Sequence, residues 1–539
     1  MQSSTKKNLL FAAMYAAVLA IGIFLGQNFA DEQKDVGNNA ILPLGLTDKQ
    51  GKLQRMVQLL RERYVDKIGI DTLQDFAIGE ILTHLDPHST YMSSREVKAV
   101  EERLSGTFDG IGLEYYEVND TLLVTGVSAK GPADRAGVLR GDKLIWINDT
   151  RIAGVEISKQ KIVDLVRGRR GTVVKIWVNR AGEELSEPLT ITRNKISVSS
   201  IDAAYMIDSV TAYIKIKQFG EHTADEFYEA LTSLKEQGGK RLILDLRDNG
   251  GGYFFAAISV LDELLPEGKL MVYTKGANEK RMDYISRAGG VFESGKLAIL
   301  IDENSASASE IVAGAVQDLN RGTIIGRRSF GKGLVQEQFS FGDGSAVNLS
   351  IARYYTPSGR SIQKPYDSGN IQYFNELNQR FLSGELTSGK TNAADTIASD
   401  GRIYRAGNGK AILSEGGIMP DIYVKLDTSG MNSFYRSVTQ KDLINKYVYG
   451  TMVVTPLSHT VEDFIGGYTL PASAYLRFIQ MARSEIADVS QGEVRASRTL
   501  IEREIKALIG RYFFGDEAWF KILNSDDYVI KRSLEALEG

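Results

Sequence analysis

Apolar residues fall into three spacings along this chain, and each predicts an element. Unbroken apolar runs at Leu242 to Leu246, Leu297 to Ile301 and Thr323 to Ile325 predict short buried strands. An apolar helix from Tyr253 to about Leu265 follows the first run. Helical spacing at Ile311, Val312, Ala315, Val316 and Leu319 follows the second. Leu334, Gln336, Gln338 and Ser340 alternate with Val335, Glu337 and Phe339, the period of a strand. A strand that turns into a helix can present a side chain at the strand end, with backbone N–H groups aimed at its reaction partner. The flanks read as helical. Asp48 to about Arg103 carries Leu53, Met56, Val57 and Leu60 on one face, and Asp71 starts a further helix before Leu73, Phe76 and Ile78. This stretch is read as a packing subdomain. Beyond about Leu426, Leu500, Ile501, Ile505, Leu508 and Ile509, then Val529, Leu534 and Leu537, give amphipathic patterns. Packing or a dimer contact is their expected role.

One apolar run is long. Leu9 to about Leu25 follows Lys6 and Lys7 and approaches the length of a membrane span. The lysines stay inside, which places the rest of the chain outside the cytoplasm. Asn28-Phe29-Ala30 is a poor small-x-small cleavage site, so an uncleaved anchor is expected, with a cleaved signal peptide as the alternative. No cysteine lies in the run, which excludes a lipoprotein.

The chemistry sits in the turns. After Ile301 comes a serine-rich turn whose candidate nucleophiles are Ser305, Ser307 and Ser309. Ser307-Ala-Ser-Glu310 is also a capping box, so the spacing alone does not choose among them. Downstream, Lys332 stands between Gly331 and Gly333 in a loop between two strands. A serine needs a neighbour to take its proton. A lysine can be that neighbour only when burial or nearby positive charge keeps it neutral. Gly326 to Lys332 matches most of a phosphate-binding loop, but Gly333 occupies the Mg-binding Ser/Thr position and a strand follows where a helix belongs. A nucleotide site is therefore not expected. The turn Arg247-Asp-Asn-Gly-Gly-Gly252 also joins a strand to a helix. Its three glycines exceed what a tight turn needs and let N–H groups approach an anion, which for a serine enzyme is an oxyanion.

Composition narrows the alternatives. At 539 residues the chain holds several domains. A net charge of −4, with no basic tract after the N-terminus, argues against nucleic acid as a partner. The absence of cysteine excludes a disulfide scaffold, a cysteine nucleophile and a thiolate zinc site. Of the four histidines, His84 and His88 are separated by Pro87, which breaks a shared helical face, so no metal pair is expected. His222 precedes Thr223-Ala-Asp-Glu226, another capping box, and is expected in a loop. A Ser-His-Asp triad is the weaker reading, and no cofactor is called for.

SASASEI (Ser305 to Ile311), FGKGLVQ (Phe330 to Gln336), DLRDNGGG (Asp245 to Gly252), YTPSGRSIQ (Tyr355 to Gln363) and GGIMPDI (Gly416 to Ile422) follow one another, with LDPHSTYM (Leu85 to Met92) and GTFDGIGL (Gly106 to Leu113) upstream. With these motifs the chain resembles the C-terminal processing peptidases, or tail-specific proteases: Ser/Lys serine peptidases that carry a PDZ domain. The resemblance runs from roughly Gly51 to Val424. It implies Ser307 as nucleophile, Lys332 as general base, Gln336 as support for the lysine, and the N–H groups of Ala308 and Gly252 as the oxyanion hole. Gly250 stands where the family often has proline or serine, a departure not expected to affect the hole.

The resemblance implies a multidomain α/β protein. Residues 1–30 would be the membrane anchor or signal segment, 31–103 a helical segment, 104–193 the β-rich PDZ domain, 194–425 the peptidase core and 426–539 a helical C-terminal region. A polar insertion at about 364–410 is a further departure, since the family joins its flanking motifs more directly. Its middle, Thr387 to Arg402, reads as a surface excursion. In the PDZ domain, Gly110, Ile111, Gly112 and Leu113 would form a nest for a peptide carboxylate, and Ile162, Val163 and Val166 the facing helical wall. The implied function is an extracytoplasmic, periplasmic endopeptidase acting on proteins or peptides with free C-termini, attached to the membrane, a possible homo-oligomer, working through an acyl-enzyme. The alternatives are a non-catalytic PDZ scaffold and an extracytoplasmic serine esterase or amidase.

Overall fold

The computed structural model describes residues 51–389, 402–412, 416–453 and 460–539. The chain divides into two compact units, 1–76 and 77–539. The expected membrane segment, residues 1–30, lies outside the described residues. Among those described, no helix is long and apolar enough to cross a membrane. In the first unit the helix Lys52–Arg63 forms as its pattern predicts, yet none of its residues is buried.

The peptidase core of the second unit is built on a six-stranded sheet. In order across the sheet its strands are Ile201–Met206, Thr211–Ile216, Arg241–Asp245, Lys296–Ile301, Thr323–Gly326 and Ile422–Tyr423. The first pair is antiparallel and the remaining four pairings are parallel. Such a sheet is covered on both faces, which is why its strands read as unbroken apolar runs. On one face, Leu242, Leu244, Ile299 and Ile301 pack against the helices Thr223–Glu236, Phe254–Leu264 and Ala308–Asp318. On the other, Tyr213, Ile243, Ala298 and Leu300 pack against Val529, Ile530 and Leu537 of the helix Tyr528–Glu538. The end of the C-terminal region is thus the second face of the core. A buried ion pair fixes it there: Arg247 donates to Asp527, the residue capping that last helix, at 2.6 Å.

A second sheet lies beside the first, around the strand Ala346–Tyr355. That strand pairs antiparallel with Leu334–Ser340, which follows the lysine loop, and with Thr90–Met92. The expectation of a continuous helical subdomain from Asp48 to Arg103 is corrected here. Pro87 ends the helical pattern, and LDPHSTYM enters the peptidase as a loop and a strand between the helices Ile70–Thr83 and Ser94–Ser105. The capping box expected at Thr223 does not form either: Thr223 Oγ accepts from Gly220 N–H, and Glu226 turns to Ser199 and Ser200.

The PDZ sheet runs Leu113–Val118, Thr121–Val127, Lys143–Ile147, Val173–Arg180 and Glu183–Glu184, with Thr150–Arg151 and Leu189–Thr192 alongside. It joins the core through two strands paired with each other, Thr107–Gly110 and Asn194–Ser197. The C-terminal helices beyond Ser433 have their own core around Phe434, Tyr447, Phe478 and Ile505, which also takes in Leu123 of the PDZ sheet.

Candidate active site

The serine turn and the glycine turn meet at the ends of adjacent parallel strands, Lys296–Ile301 and Arg241–Asp245. Asn249 fastens them. Its carbonyl accepts from Ala306 N–H at 3.0 Å and from Ser309 Oγ at 2.9 Å. Its own amide spans Ile216 O and Gly251 N–H. The approach is close enough to require glycine. A Cβ on Gly251 would lie 2.8 Å from the Ser307 Cβ, and one on Gly252 would lie 2.0 Å from the Phe219 carbonyl oxygen. Gly250, the departure from the family pattern, has nothing within 4 Å of such a Cβ.

Burial separates the three serines. Ser305 and Ser309 are fully buried and their hydroxyls are spent: Ser305 donates to Leu246 O at 2.8 Å and Ser309 to Asn249 O. Ser307 is half-buried, and its hydroxyl makes no hydrogen bond among the described residues. Its backbone has φ +54°, a region that a residue with a Cβ enters at a cost of about 1–3 kcal/mol and keeps only when its surroundings enforce it. The predicted capping box is present. Glu310 accepts from Ser307 N–H at 2.8 Å, while Glu310 N–H bonds the Ser307 carbonyl at 2.9 Å and the serine hydroxyl makes no cap hydrogen bond.

Glu310 is the centre of the arrangement. Fully buried, its carboxylate accepts from Ser307 N–H (2.8 Å) and Lys332 N–H (2.9 Å) on one oxygen, and from Ser329 Oγ (2.5 Å) and Gly331 N–H (2.7 Å) on the other. Tyr354 repeats the linkage on the carbonyl side. Its buried hydroxyl lies between Ser307 O and Lys332 O and shares its one proton between them. The serine and the lysine, 25 positions apart, are thus bound at both backbone groups to the same two side chains. Burial pushes the Glu310 carboxyl up to about 7 against the pull of its four hydrogen bonds.

Lys332 Nζ donates to Gln336 Oε1 at 2.7 Å, and no hydrogen bond joins it to Ser307 Oγ. Contacts of this kind often tighten only in the substrate complex. Burial lowers the lysine below its ordinary value, while Glu310 and Asp86 oppose that shift. Gln336 Nε2 in turn donates to His88 O at 2.5 Å. Asp86 holds this loop by accepting from His88 N–H, Ser89 N–H, Ser89 Oγ and Ser350 Oγ. The N–H groups of Ala308 and Gly252 have no acceptor among the described residues. Ala308 begins the serine helix, where such a group has no partner within the helix. At the far end of that helix, the TPSGR loop docks through Arg360 and Asp318, 2.8 Å apart and buried.

The predicted site residues thus gather as expected in the core, whereas the PDZ set divides. Gly110 closes a strand paired with Asn194, Gly112 turns at φ +76°, and Leu113 opens the edge strand of the PDZ sheet. Ile111, within the expected nest, has its side chain in the core at 2 % exposed, and Ile162 is 1 % exposed and packs into the same core, which corrects its expected place on the groove wall. Val163 and Val166 are half-buried. Val163 lines a groove of about 780 Å³ together with Phe108, Arg167, Arg95 and Lys98. His222 is exposed at a helix start. Asp86, His88, Tyr354 and Tyr373 were not expected at the site. The first two were visible only as part of LDPHSTYM, and Glu310 read as a helix cap.

The comparisons fit this architecture. Residues 210–371 match peptidase family S41, residues 123–180 a PDZ domain, and residues 434–515 a family of unknown function, DUF8443. The carboxy-terminal-processing protease of Bartonella bacilliformis is 35 % identical over 337 residues, 62 % of this chain and 76 % of that protein. The chain belongs to the carboxy-terminal-processing proteases of family S41. It is a serine peptidase with a PDZ domain. The carboxy-terminal processing protease CtpA of Bacillus subtilis is 33 % identical, over 59 % of this chain and 67 % of its own. Among solved structures, the photosystem II D1 C-terminal processing protease is 28 % identical over 57 % of this chain and 82 % of its own, with a TM-score of 0.33.

Replacing Glu310 tests the clamp. The Gln amide has one acceptor oxygen and turns an NH₂ toward N–H donors. Glu310→Gln should lose about 2–4 kcal/mol of stability through groups left unpaired, and most of the turnover with it. The pH dependence has a definite sign. The folded carboxyl keeps its proton up to about 7, against 4.5 ordinarily, so the stability it contributes is present below 4.5 and is lost as pH rises through about 7. Thermal melts between pH 4 and 8 should show this slope in the wild type and its loss in the variant. A variant with unchanged melting and turnover would refute the clamp.

Proposed function

We propose that this protease cuts polypeptides with free C-termini through a Ser307–Lys332 dyad. The observation that carries the reading is the shared tether of the two residues to Glu310 and Tyr354, beside a serine whose hydroxyl is unspent. Lys332, its amine lowered by burial, takes the Ser307 proton as Oγ attacks the scissile carbonyl. Gln336 engages one amine N–H, which turns the nitrogen lone pair away from the amide. The oxyanion forms against Ala308 N–H and Gly252 N–H. Lys332 returns its proton to the leaving amine, leaving an ester on Ser307. Water, deprotonated by the Lys332 amine, attacks the ester, and Lys332 returns that proton to Ser307 Oγ as the acyl group leaves as a carboxylate. The PDZ domain supplies tail recognition. The Leu113–Val118 edge accepts a peptide strand, and Gly110 to Leu113 lie at the end that would receive its carboxylate.

The catalytic part works outside the cytoplasm, held to the membrane by Leu9 to Leu25. The length of that apolar run and Lys6 and Lys7 before it support this placement.

Ser307→Ala should abolish turnover without lowering the melting temperature. Ser305→Ala and Ser309→Ala should retain activity but melt earlier, because each removes a buried hydrogen bond worth about 1 kcal/mol. Lys332→Arg should be as inactive as Lys332→Ala, since guanidinium is not deprotonated in proteins. In the wild type, kcat/KM should rise with pH with a midpoint below 10.5, the ordinary lysine value. An active Lys332→Arg enzyme would end the general-base reading.

For tail recognition, the measurement is calorimetric titration of the Ser307→Ala protein with paired peptides. Free-acid tails should bind at least tenfold more tightly than the same peptides amidated, because an amide loses the charge-assisted bonds. Equal affinities would remove carboxylate capture. Placement is checked on intact cells stripped of their outer layers. Added proteinase should digest the catalytic part, and alkaline carbonate should leave the protein in the membrane. Protection from the proteinase would reverse the orientation.

A further inference from the structure

The insertion between Lys364 and Lys410 begins with a helix, Asn370–Leu382, followed by a short helix, Glu385–Ser388. The excursion expected at Thr387 to Arg402 lies mostly outside the described residues, and the part before it is packed against the core. Tyr373 is 3 % exposed and Arg380 4 %. Arg380 donates to the carbonyls of Arg328 and Ser329, the residues leading into the lysine loop, and pairs with Glu385. Glu385 also takes two bonds from Arg328 at 2.7 Å. Lys364 lies 3.9 Å from the Phe330 ring centroid and 4.3 Å from that of Tyr373, holding the two rings together.

Tyr373 reaches the lysine's own hydrogen-bond chain. Its phenol oxygen accepts from Gln363 Nε2 at 3.3 Å and lies 2.8 Å from His88 Nε2. A phenol has one proton, and among the described residues His88 Nε2 is the acceptor on offer. His88 is therefore neutral with its proton on Nδ1. Burial, with Lys332 and Lys364 nearby, depresses its imidazole to about 4, in keeping with that form. With its ring fixed by Tyr373 and its N–H by Asp86, His88 offers its carbonyl in one direction, and Gln336 Nε2 meets it. An amide with its NH₂ on a carbonyl has its oxygen on the other side, where Lys332 Nζ lies. Without the His88 carbonyl the Gln336 amide could flip, and its NH₂ would then face the amine.

We propose that Tyr373 is a positioning residue for the general base, acting through His88 and Gln336 to hold the Lys332 amine toward Ser307. The insertion is thereby part of the machinery for the reaction. This inference rests on the Ser307–Lys332 reading.

The test compares Tyr373→Phe, Gln336→Ala, the double variant and Lys332→Ala in the full chain. Kinetics with a peptide substrate are paired with the rate at which a fluorophosphonate labels Ser307. Tyr373→Phe should lower kcat about tenfold with KM within twofold, and should slow labelling by a similar factor. In the Gln336→Ala background the same change should have no further effect, because its route to the lysine is already cut. A purely packing role would instead act equally in both backgrounds, and that additivity would overturn the proposal. So would a Tyr373→Phe enzyme with wild-type kcat while Lys332→Ala is inactive. An active Lys332→Ala enzyme would overturn the dyad itself, and this inference with it. Melting curves of all variants guard the comparison: a drop that tracks activity across the set would mark loss of fold and count against positioning.

Discussion

The site depends on one buried carboxylate. Glu310 is fully buried, so its oxygens are met by four protein donors, which come from the serine turn and the lysine loop. A buried acceptor in this setting tolerates little displacement, because each donor left unpaired costs its full desolvation. The backbone of Ser307 is kept at positive φ and the lysine loop is kept against it by the same group. Tyr354 adds a neutral counterpart on the carbonyls. The proposed nucleophile and base are placed by their main chains, and only the outermost atoms of their side chains are left to be aimed.

That aiming draws on distant parts of the sequence. The lysine amine is met by Gln336, the amide by a carbonyl from LDPHSTYM, and that loop by a tyrosine of the insertion. The glycine turn draws on a different region. Arg247 in its motif is half-buried and shared between the buried Asp245 and Asp527, so the last helix of the chain is tied to the glycine turn. Losing Asp527 would leave that guanidinium with Asp245 as its remaining charged partner.

Much of this was legible in the sequence, for reasons that can be named. Buried parallel strands appear as unbroken apolar runs, and glycines that a neighbouring backbone touches appear as a cluster, so the strand–turn–helix units around Ser307 and Gly252 were readable. The three serines could not be separated by spacing, because the distinction is whether each hydroxyl is already engaged. Glu310 has the local signature of a cap, and its other three partners lie 19 to 22 positions away. Pairing of Thr90–Met92 with Ala346–Tyr355 is a contact across more than half the catalytic region, and no local pattern encodes it. The helix Asn370–Leu382 gave no apolar pattern to read, because the buried residues in and around it are arginine, glutamate, lysine and tyrosine, which enter a core only in mutually bonded sets. For Ile162, a helical stripe that faces a groove and one that faces a core look alike in sequence.

The paired strands Thr107–Gly110 and Asn194–Ser197 bear on how the chain reaches this state. Val198 N–H bonds Gly106 O at 2.7 Å, so the PDZ domain leaves and re-enters the core at one point. Were the roughly 90 residues between them an unstructured loop, closing it would cost about 4 kcal/mol in chain entropy. A PDZ domain that folds as its own unit meets that cost within its own core before the peptidase sheet assembles. Synthesis runs in the same direction, since the PDZ segment emerges ahead of every strand of the six-stranded sheet. A PDZ domain folded first would hand the helix after LDPHSTYM and the first core strand to the peptidase already close together.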